Sequence, residues 1–273
     1  MFGANRLQLK SPDELEVMRR AGLVVARTLA AVEDAVRPGI TTGELNDLAE
    51  DAILSSGAIP SFLGYSEPPY PASICTSVND EVVHGIPGDR VLAEGDIVSV
   101  DCGAIVDGWH GDAAVTIAVG ETSPEASELM RVTREALWAG LAAVRFGGRV
   151  GDIGAAVEAH VRSQGAYGVV EDYTGHGIGT EMHMPPEVPN LGGTRGPRMR
   201  HGTTLAVEPM VTTGDQATTV RPDEWTVATR DGGWAAHHEH TFALTERGVW
   251  VLTALDGGAA ELERLGVPYG GPD

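Results

Sequence analysis

Residues 36–58 read VRPGITTGELNDLAEDAILSSGA, and residues 144–166 read VRFGGRVGDIGAAVEAHVRSQGA. The offset between them (144 minus 36) is 108 residues, with no gap. Val36, Arg37, Gly39, Gly43, Glu50, Ser55, Gly57 and Ala58 each recur as the same residue in the second copy. Glu44/Asp152, Leu45/Ile153 and Ile53/Val161 are conservative matches. A gapless repeat of this quality predicts a chain built of two related halves.

Each copy reads as a helix bounded by glycine. Thr41 with Glu44 three residues on is a capping box, and Gly57 is a C-terminal stop. A longer helix precedes each copy. Ser11-Pro12-Asp13-Glu14 opens the first, with Pro12 at the first helical position and Glu14 at the third. Ser123-Pro124-Glu125 opens the second, which runs towards Val144. Strand-like segments follow each pair: 72–83, 97–106 and 112–119, then 203–213, 225–230 and 238–244, with 248–253 last. Helix pairs followed by runs of strands predict an α+β fold, with a mixed or antiparallel sheet covered by helices on one face. No Pro/Ser-rich linker separates the halves. Residues 1–273 are therefore expected to form a single domain of two halves, about 8–120 and 121–255, sharing one sheet. The Gly- and Arg-rich stretch 190–202 reads as a surface loop.

Composition excludes several classes. The chain holds 19 Lys+Arg against 39 Asp+Glu, a net charge of -20. Such a surface argues against general nucleic-acid or anionic-membrane binding. No run of 18 or more apolar residues marks a membrane span. The opening MFGANRLQLK has no apolar h-region, so no secretory signal is visible. Cys75 and Cys102 are too few for a disulfide framework, and a reducing cytoplasm is expected.

Five residues carry the chemistry: Asp101, Asp112, His176, Glu208 and Glu239. Asp101 ends the apolar run 96–100, and Asp107-Gly108 is a hairpin signal. A two-residue loop there pairs Val106 with Trp109 and Gly103 with Asp112. Asp101 and Asp112 then share a face as diagonal neighbours, roughly 7–8 Å apart, within reach of shared metals. His176 sits in Gly175-His176-Gly177-Ile178-Gly179, where glycines allow close backbone approach and an exposed ring. The segment reads as a loop, and it lacks the context of a dinucleotide fingerprint. His183 follows seven residues later, without HExxH spacing. Glu208 stands inside the apolar run 205–211, costly unless paired or bound to a cation, and Pro209 marks a strand irregularity. Glu239 precedes an apolar strand. Four carboxylates and one imidazole suit Mn²⁺, Fe²⁺, Co²⁺ or Zn²⁺. Two dications carry +4 against −4 and leave the group near neutral; a pair of metals can bind a water, lower its pKa and polarise a carbonyl.

These motifs resemble the type I methionine aminopeptidases, the short bacterial form within the pita-bread metallopeptidases. The matching pieces are Asn79-Asp80-Glu81-Val82-Val83-His84-Gly85-Ile86-Pro87, Val100-Asp101 with Gly111-Asp112, Gly175-His176-Gly177-Ile178-Gly179, Val207-Glu208-Pro209-Met210 and Glu239-His240-Thr241. They cover about residues 8–255. The resemblance implies a pita-bread fold with pseudo-twofold symmetry. It also implies removal of N-terminal methionine from nascent chains when the next residue is small. By resemblance, Asp101 binds one metal, Asp112 and Glu239 bridge two, and His176 and Glu208 complete the other. His84 and His183 contact substrate and stabilise the intermediate. A metal-bridging hydroxide attacks the first peptide carbonyl, and Glu208 assists proton transfer. Phe62, Tyr65, Tyr70, Cys75, Met182 and Trp225 line the methionine pocket; aromatic and sulfur-bearing side chains suit a thioether guest. The implied partners are nascent polypeptide N-termini and the ribosome surface, met by a cytoplasmic monomer.

Phe62, Met182, His237 and His238 depart from the residues common in the family. Glutamine and an aromatic residue are usual at the last two positions. The two histidines read either as an outer shell to the metals or as surface groups. The metal set is shared with X-Pro peptidases. The absence of an N-terminal domain and the short spacing from His176 to Glu239 count against that class. A binding protein that has kept the fold and lost catalysis is the third reading, and the intact ligand set counts against it.

Overall fold

The computed structural model describes residues 7–272. Residues 1–6, part of the opening read for a leader, and Asp273 lie outside the described residues. Helix α1 spans Pro12–Ala35, α2 Thr42–Ser55, α3 Pro124–Ala142 and α4 Val150–Gln164, with a short α5 at Ala259–Arg264. The capping signals act as the sequence predicts. Ser11 and Thr41 each accept from the third helical N–H, and Glu14 and Glu44 reach back to the cap N–H. Gly57, at φ 78°, takes the left-handed turn that ends α2.

The main sheet has nine strands. They are β1 Ile59–Pro60, β2 Ile74–Val78, β3 Ile97–Val106, β4 Trp109–Ala118, β5 Gly175–Gly177, β6 Met184–Val188, β7 Thr203–Val207, β8 Glu239–Leu244 and β9 Val249–Val251. All pairings within it are antiparallel. The path β2-β3-β4-β8-β7-β5 reads the same from either end. An outer strand and a long pair from each half meet at the β4–β8 join.

The likeness of the halves extends beyond the repeat. Gly39 N–H donates to Leu92 O (2.8 Å) and Gly147 N–H to Met199 O (2.9 Å). Isolated bridges join Thr41 to Val91 and Arg149 to Arg198. A left-handed glycine then opens each long strand, Gly95 before β3 and Gly202 before β7. Counting on from those glycines, Val100 matches Val207 and Asp101 matches Glu208. The 190–202 segment is thus more than a surface loop. Asn190 and Met199 are buried in it, because it docks on the start of α4 as residues 88–92 dock on α2.

Strand alternation sorts the two faces. Val98, Val100 and Cys102 of β3 and Ala113 and Ile117 of β4 pack with Leu29, Val32, Leu45 and Ile53 of the first helix pair. Leu205, Val207, Phe242 and Leu244 pack with Leu137, Leu141 and Ile153 of the second. Truncating one such buried leucine or phenylalanine typically costs ~2–5 kcal/mol. The alternate residues, Ser99, Asp101, Asp112, Ala114, Thr116, Glu239 and Thr241, therefore face the other way. Two three-stranded sheets supply the remaining strands, Gly168–Val169 with Met210–Thr212 and Ala235–His237, and Glu81–Val83 with Thr218–Val220 and Val227–Thr229.

Several predicted segments are divided. The stretch 72–83 is two strands, and 203–213 breaks after Val207, where Pro209 withholds a donor. The predicted 238–244 starts at Glu239, because His238 parts it from a further strand at Ala235–His237, and 225–230 shrinks to Val227–Thr229.

Candidate metal centre and active site

The β3–β4 hairpin sets the first two carboxyls. Asp107 (φ 48°) and Gly108 (φ 80°) turn with both φ positive, which gives a two-residue hairpin loop. Val106 pairs with Trp109 and Gly103 with Asp112, the predicted register. Ala114 is then paired with Asp101 on one side and with Glu239 on the other. Its methyl group leaves room between two carboxyls on the same face. Thr241 holds the main chain of Asp112, donating to its carbonyl (2.8 Å) and accepting from its N–H (3.2 Å).

His176 departs from expectation. It lies on strand β5, not in a loop, and its ring is buried, not exposed. The close approach its glycines allow is what buries it. A Cβ on Gly175 would stand 2.3 Å from Ala206 O, and one on Gly177 would stand 2.4 Å from Pro185 O. Nδ1–H of His176 donates to Gly177 O (3.0 Å), which leaves the Nε2 lone pair for the site. Nε2 lies 3.6 Å from Glu208 Oε1 and 3.8 Å from Asp112 Oδ2. Those separations exceed a hydrogen bond. They match ligand edges around a cation with bonds of ~2.0–2.2 Å.

Glu239 Oε1, Asp112 Oδ1 and Asp101 Oδ1 are buried without a hydrogen-bond partner among the described residues. One ligand atom each from Asp112, His176 and Glu239 lies within 4.8 Å of the others. Burial pushes the Asp101 carboxyl up to about 7. It pushes Asp112, Glu208 and Glu239 well above the carboxylate range, and their mutual repulsion adds to the rise. Burial lowers His176 to about 3, so its ring is a neutral donor of an electron pair. Carboxyls that cannot all ionise beside one another, with orphaned oxygens, are the donor set a divalent cation neutralises.

These residues open into a cavity of about 140 Å³, close to the ~150 Å³ that holds a benzene-sized guest. Its lining is Phe62, Tyr65, Tyr70, Cys75, His84, Asp101, Asp112, His176, Met182, His183, Glu208, Trp225 and Glu239. The structure thus gathers every site residue singled out in the sequence. Phe62, Tyr70, Cys75 and Met182 are buried in one apolar cluster, with Trp225 packed against it. Tyr70 donates to Gly85 O (2.8 Å) and meets Trp225 edge-on. His84 has φ 59° and stands between Tyr173 and Trp225, with ring centroids 5.7 and 6.2 Å away. His183, at the rim, shares a 2.6 Å hydrogen bond with Tyr65 and lies 4.3 Å ring to ring from His176.

His237 and His238 are not surface groups. They are 1% and 7% exposed. His238 lines a groove between α1 and α3 on the helix face, and His237 faces Glu208. Burial first, then His238 and His84, lowers His237 to about 3. Sequence left its placement open, because its neighbours come from distant strands.

Comparison with known proteins gives the family. Metallopeptidase family M24 matches residues 16–246. The chain is 52% identical over 250 residues to a methionine aminopeptidase of Clostridium acetobutylicum, covering 91% of this chain and 99% of that one. It is 51% identical to methionine aminopeptidase 1 of Mycobacterium tuberculosis, covering 89% and 94%. The crystal structure of methionine aminopeptidase from Thermotoga maritima superposes with a TM-score of 0.88 at 43% identity, covering 91% of this chain and all of that one. This chain therefore belongs to metallopeptidase family M24 and, within it, to the methionine aminopeptidases.

Proposed function

We propose that this chain is a metal-dependent hydrolase that removes N-terminal methionine from peptides and nascent proteins when the second residue is small. The observation that carries the reading is a buried carboxylate–imidazole group opening into an aromatic, sulfur-lined cavity the size of one side chain. Asp101 would hold one of two divalent cations (Co²⁺, Mn²⁺, Fe²⁺ or Zn²⁺), His176 and Glu208 would hold the other, and Asp112 and Glu239 would serve both. Bound there, such cations would supply an acidified water and a polarised scissile carbonyl.

The side chains do the rest. Phe62, Tyr70, Cys75, Met182 and Trp225 enclose the methionine side chain and exclude water, with Tyr65 at the rim. Glu208, whose burial raises its proton affinity, takes up the proton of the attacking water. His84 and His183 flank the carbonyl and donate to the oxygen on which charge develops. His84 is held at a left-handed backbone position between two aromatic rings, so its ring needs little reorganisation. Residues 1–273 act as one catalytic unit, a cytoplasmic monomer that meets nascent chains near the ribosome surface. No helix among the described residues is long and apolar enough to cross a membrane.

The deciding experiment is peptide cleavage after reconstitution with Mn²⁺ or Co²⁺. Met-Ala-Ser should release methionine and Ala-Pro-Ala should stay intact. Cleavage of Ala-Pro-Ala instead would move the chain to X-Pro specificity. Failure to cleave either peptide with metal bound would refute the activity.

A further inference from the structure

His237 lies behind Glu208, outside the residues that line the cavity. It is 1% exposed, and neither ring nitrogen has a hydrogen-bond partner among the described residues. Leaving a buried polar group unsatisfied costs roughly 1–3 kcal/mol, and native interiors rarely do so without a reason. The ring cannot retreat. Its main-chain N–H donates to Thr116 Oγ1 (2.9 Å), and its carbonyl accepts from the same hydroxyl (2.8 Å). On its other edge it pairs with Met210, one residue past Pro209. Glu208 stands in the two-residue break between β7 and Met210–Thr212, and His237 ends the strand paired with the latter, so the two backbones are held side by side.

The Glu208 carboxyl stands between two imidazoles. Oε1 faces His176 Nε2 at 3.6 Å, and Oε2 faces His237 Nε2 at 3.7 Å. His176 has committed its N–H to Gly177 O and presents a lone pair. His237 has no such commitment, and its N–H is free for Oε2. Metal-binding carboxylates are usually held by a second hydrogen bond that fixes which oxygen is presented.

We propose that His237 is a positioning residue for Glu208. When Glu208 binds metal, the 3.7 Å gap between Nε2 and Oε2 closes to a hydrogen bond donated by Nε2–H, which holds Oε2 and turns Oε1 towards the metal and the attacking water. The inference rests on the reading of Glu208 as ligand and proton acceptor. His237 touches neither substrate nor metal.

The test uses the full chain stripped of metal, with His237→Phe and His237→Gln. Mn²⁺ affinity is measured by calorimetry, and kcat and KM are measured separately at saturating Mn²⁺. The phenylalanine fills the space without donating. Mn²⁺ affinity should fall about 10–100-fold and kcat should fall, with KM and the unfolding midpoint of the metal-free chain unchanged. Glutamine, which can donate from its amide, should restore affinity to within a few fold. In a Glu208→Gln background, His237→Phe should have no further effect on affinity. Wild-type affinity and kcat in His237→Phe, while Glu208→Gln loses both, would overturn the proposal alone. Wild-type metal binding and turnover in Glu208→Gln would overturn the reading beneath it. Should His237→Phe fail to fold, ¹⁵N-histidine spectra of the Zn²⁺-loaded wild type decide. Protonation at Nε2 of His237 supports the proposal, and protonation at Nδ1 overturns it.

Discussion

The two helix pairs share a plan and differ in tolerance. In the first half a Cβ on Gly43 would stand 3.1 Å from Gly88 O. At the matching Gly151 it would stand 1.6 Å from Thr194 O. The capping differs too. Thr41 and Glu44 complete a reciprocal box, whereas at Arg149 only the return bond from Asp152 is made (3.0 Å), because a guanidinium cannot accept. Chemistry diverges further along. Asp101 sits within an unbroken strand, and its counterpart Glu208 follows the end of β7, where the longer side chain reaches in from a backbone that has left the ladder. The two helix-and-strand frames are alike, and the site residues differ where that likeness breaks.

The sharpest test of this contrast replaces the matched carboxyls. Glu208→Gln should lower kcat by about 10²–10⁴ even at saturating Mn²⁺, because a proton acceptor is lost. Asp101→Asn should regain much of its activity as Mn²⁺ is raised, having lost only a ligand. Equal responses of the two variants to added metal would erase the proposed asymmetry. Acidity gives the next largest effect. The raised carboxyls hold protons in the metal-free site, Asp101 up to about 7. Metal must expel those protons, so apparent Mn²⁺ affinity should climb between pH 5 and 7, roughly tenfold per unit for each proton displaced. Calorimetry at three pH values reads this directly, and a flat profile would contradict it.

Stability separates the halves more gently. Gly151→Ala should lose about 1–3 kcal/mol by overpacking, because the obstacle is a backbone carbonyl. Gly43→Ala should fall within about 1 kcal/mol of wild type, since helix propensity offsets the tighter contact. Urea midpoints compare them, and similar losses would show that the two docking loops fit alike. The smallest effect concerns the caps. Thr41→Ala should cost ~1 kcal/mol and Arg149→Ala less, read in the same titration.

What could be read from the chain was local or repeated. The capping boxes need only residues three apart, Asp107-Gly108 fixes its own register, and Pro209 announces the break after β7. Those features set the register of Asp101 with Asp112 and mark the irregular backbone at Glu208. The burial of His176 is not legible locally, because its environment is built by Ala206 and Pro185, residues brought beside it only by the sheet. His237 was ambiguous for the same reason: whether a ring faces water or Glu208 depends on Thr116 and Met210, far away in sequence. Short strands such as Gly168–Val169 carry too few residues to show a period.

The palindromic sheet has a consequence at its midline. Strands β4 and β8 are joined by only two registered pairs, Glu239 with Ala114 and His240 with Ala113. Metals held as proposed would bind Asp101 and Asp112 from one half and His176, Glu208 and Glu239 from the other. Such an ion is a removable cross-link, closing long chain loops in the manner of a disulfide and taxing the unfolded chain accordingly. A chelator would then release a mechanical fastening as well as a catalyst, and the seam is where the protein would begin to part.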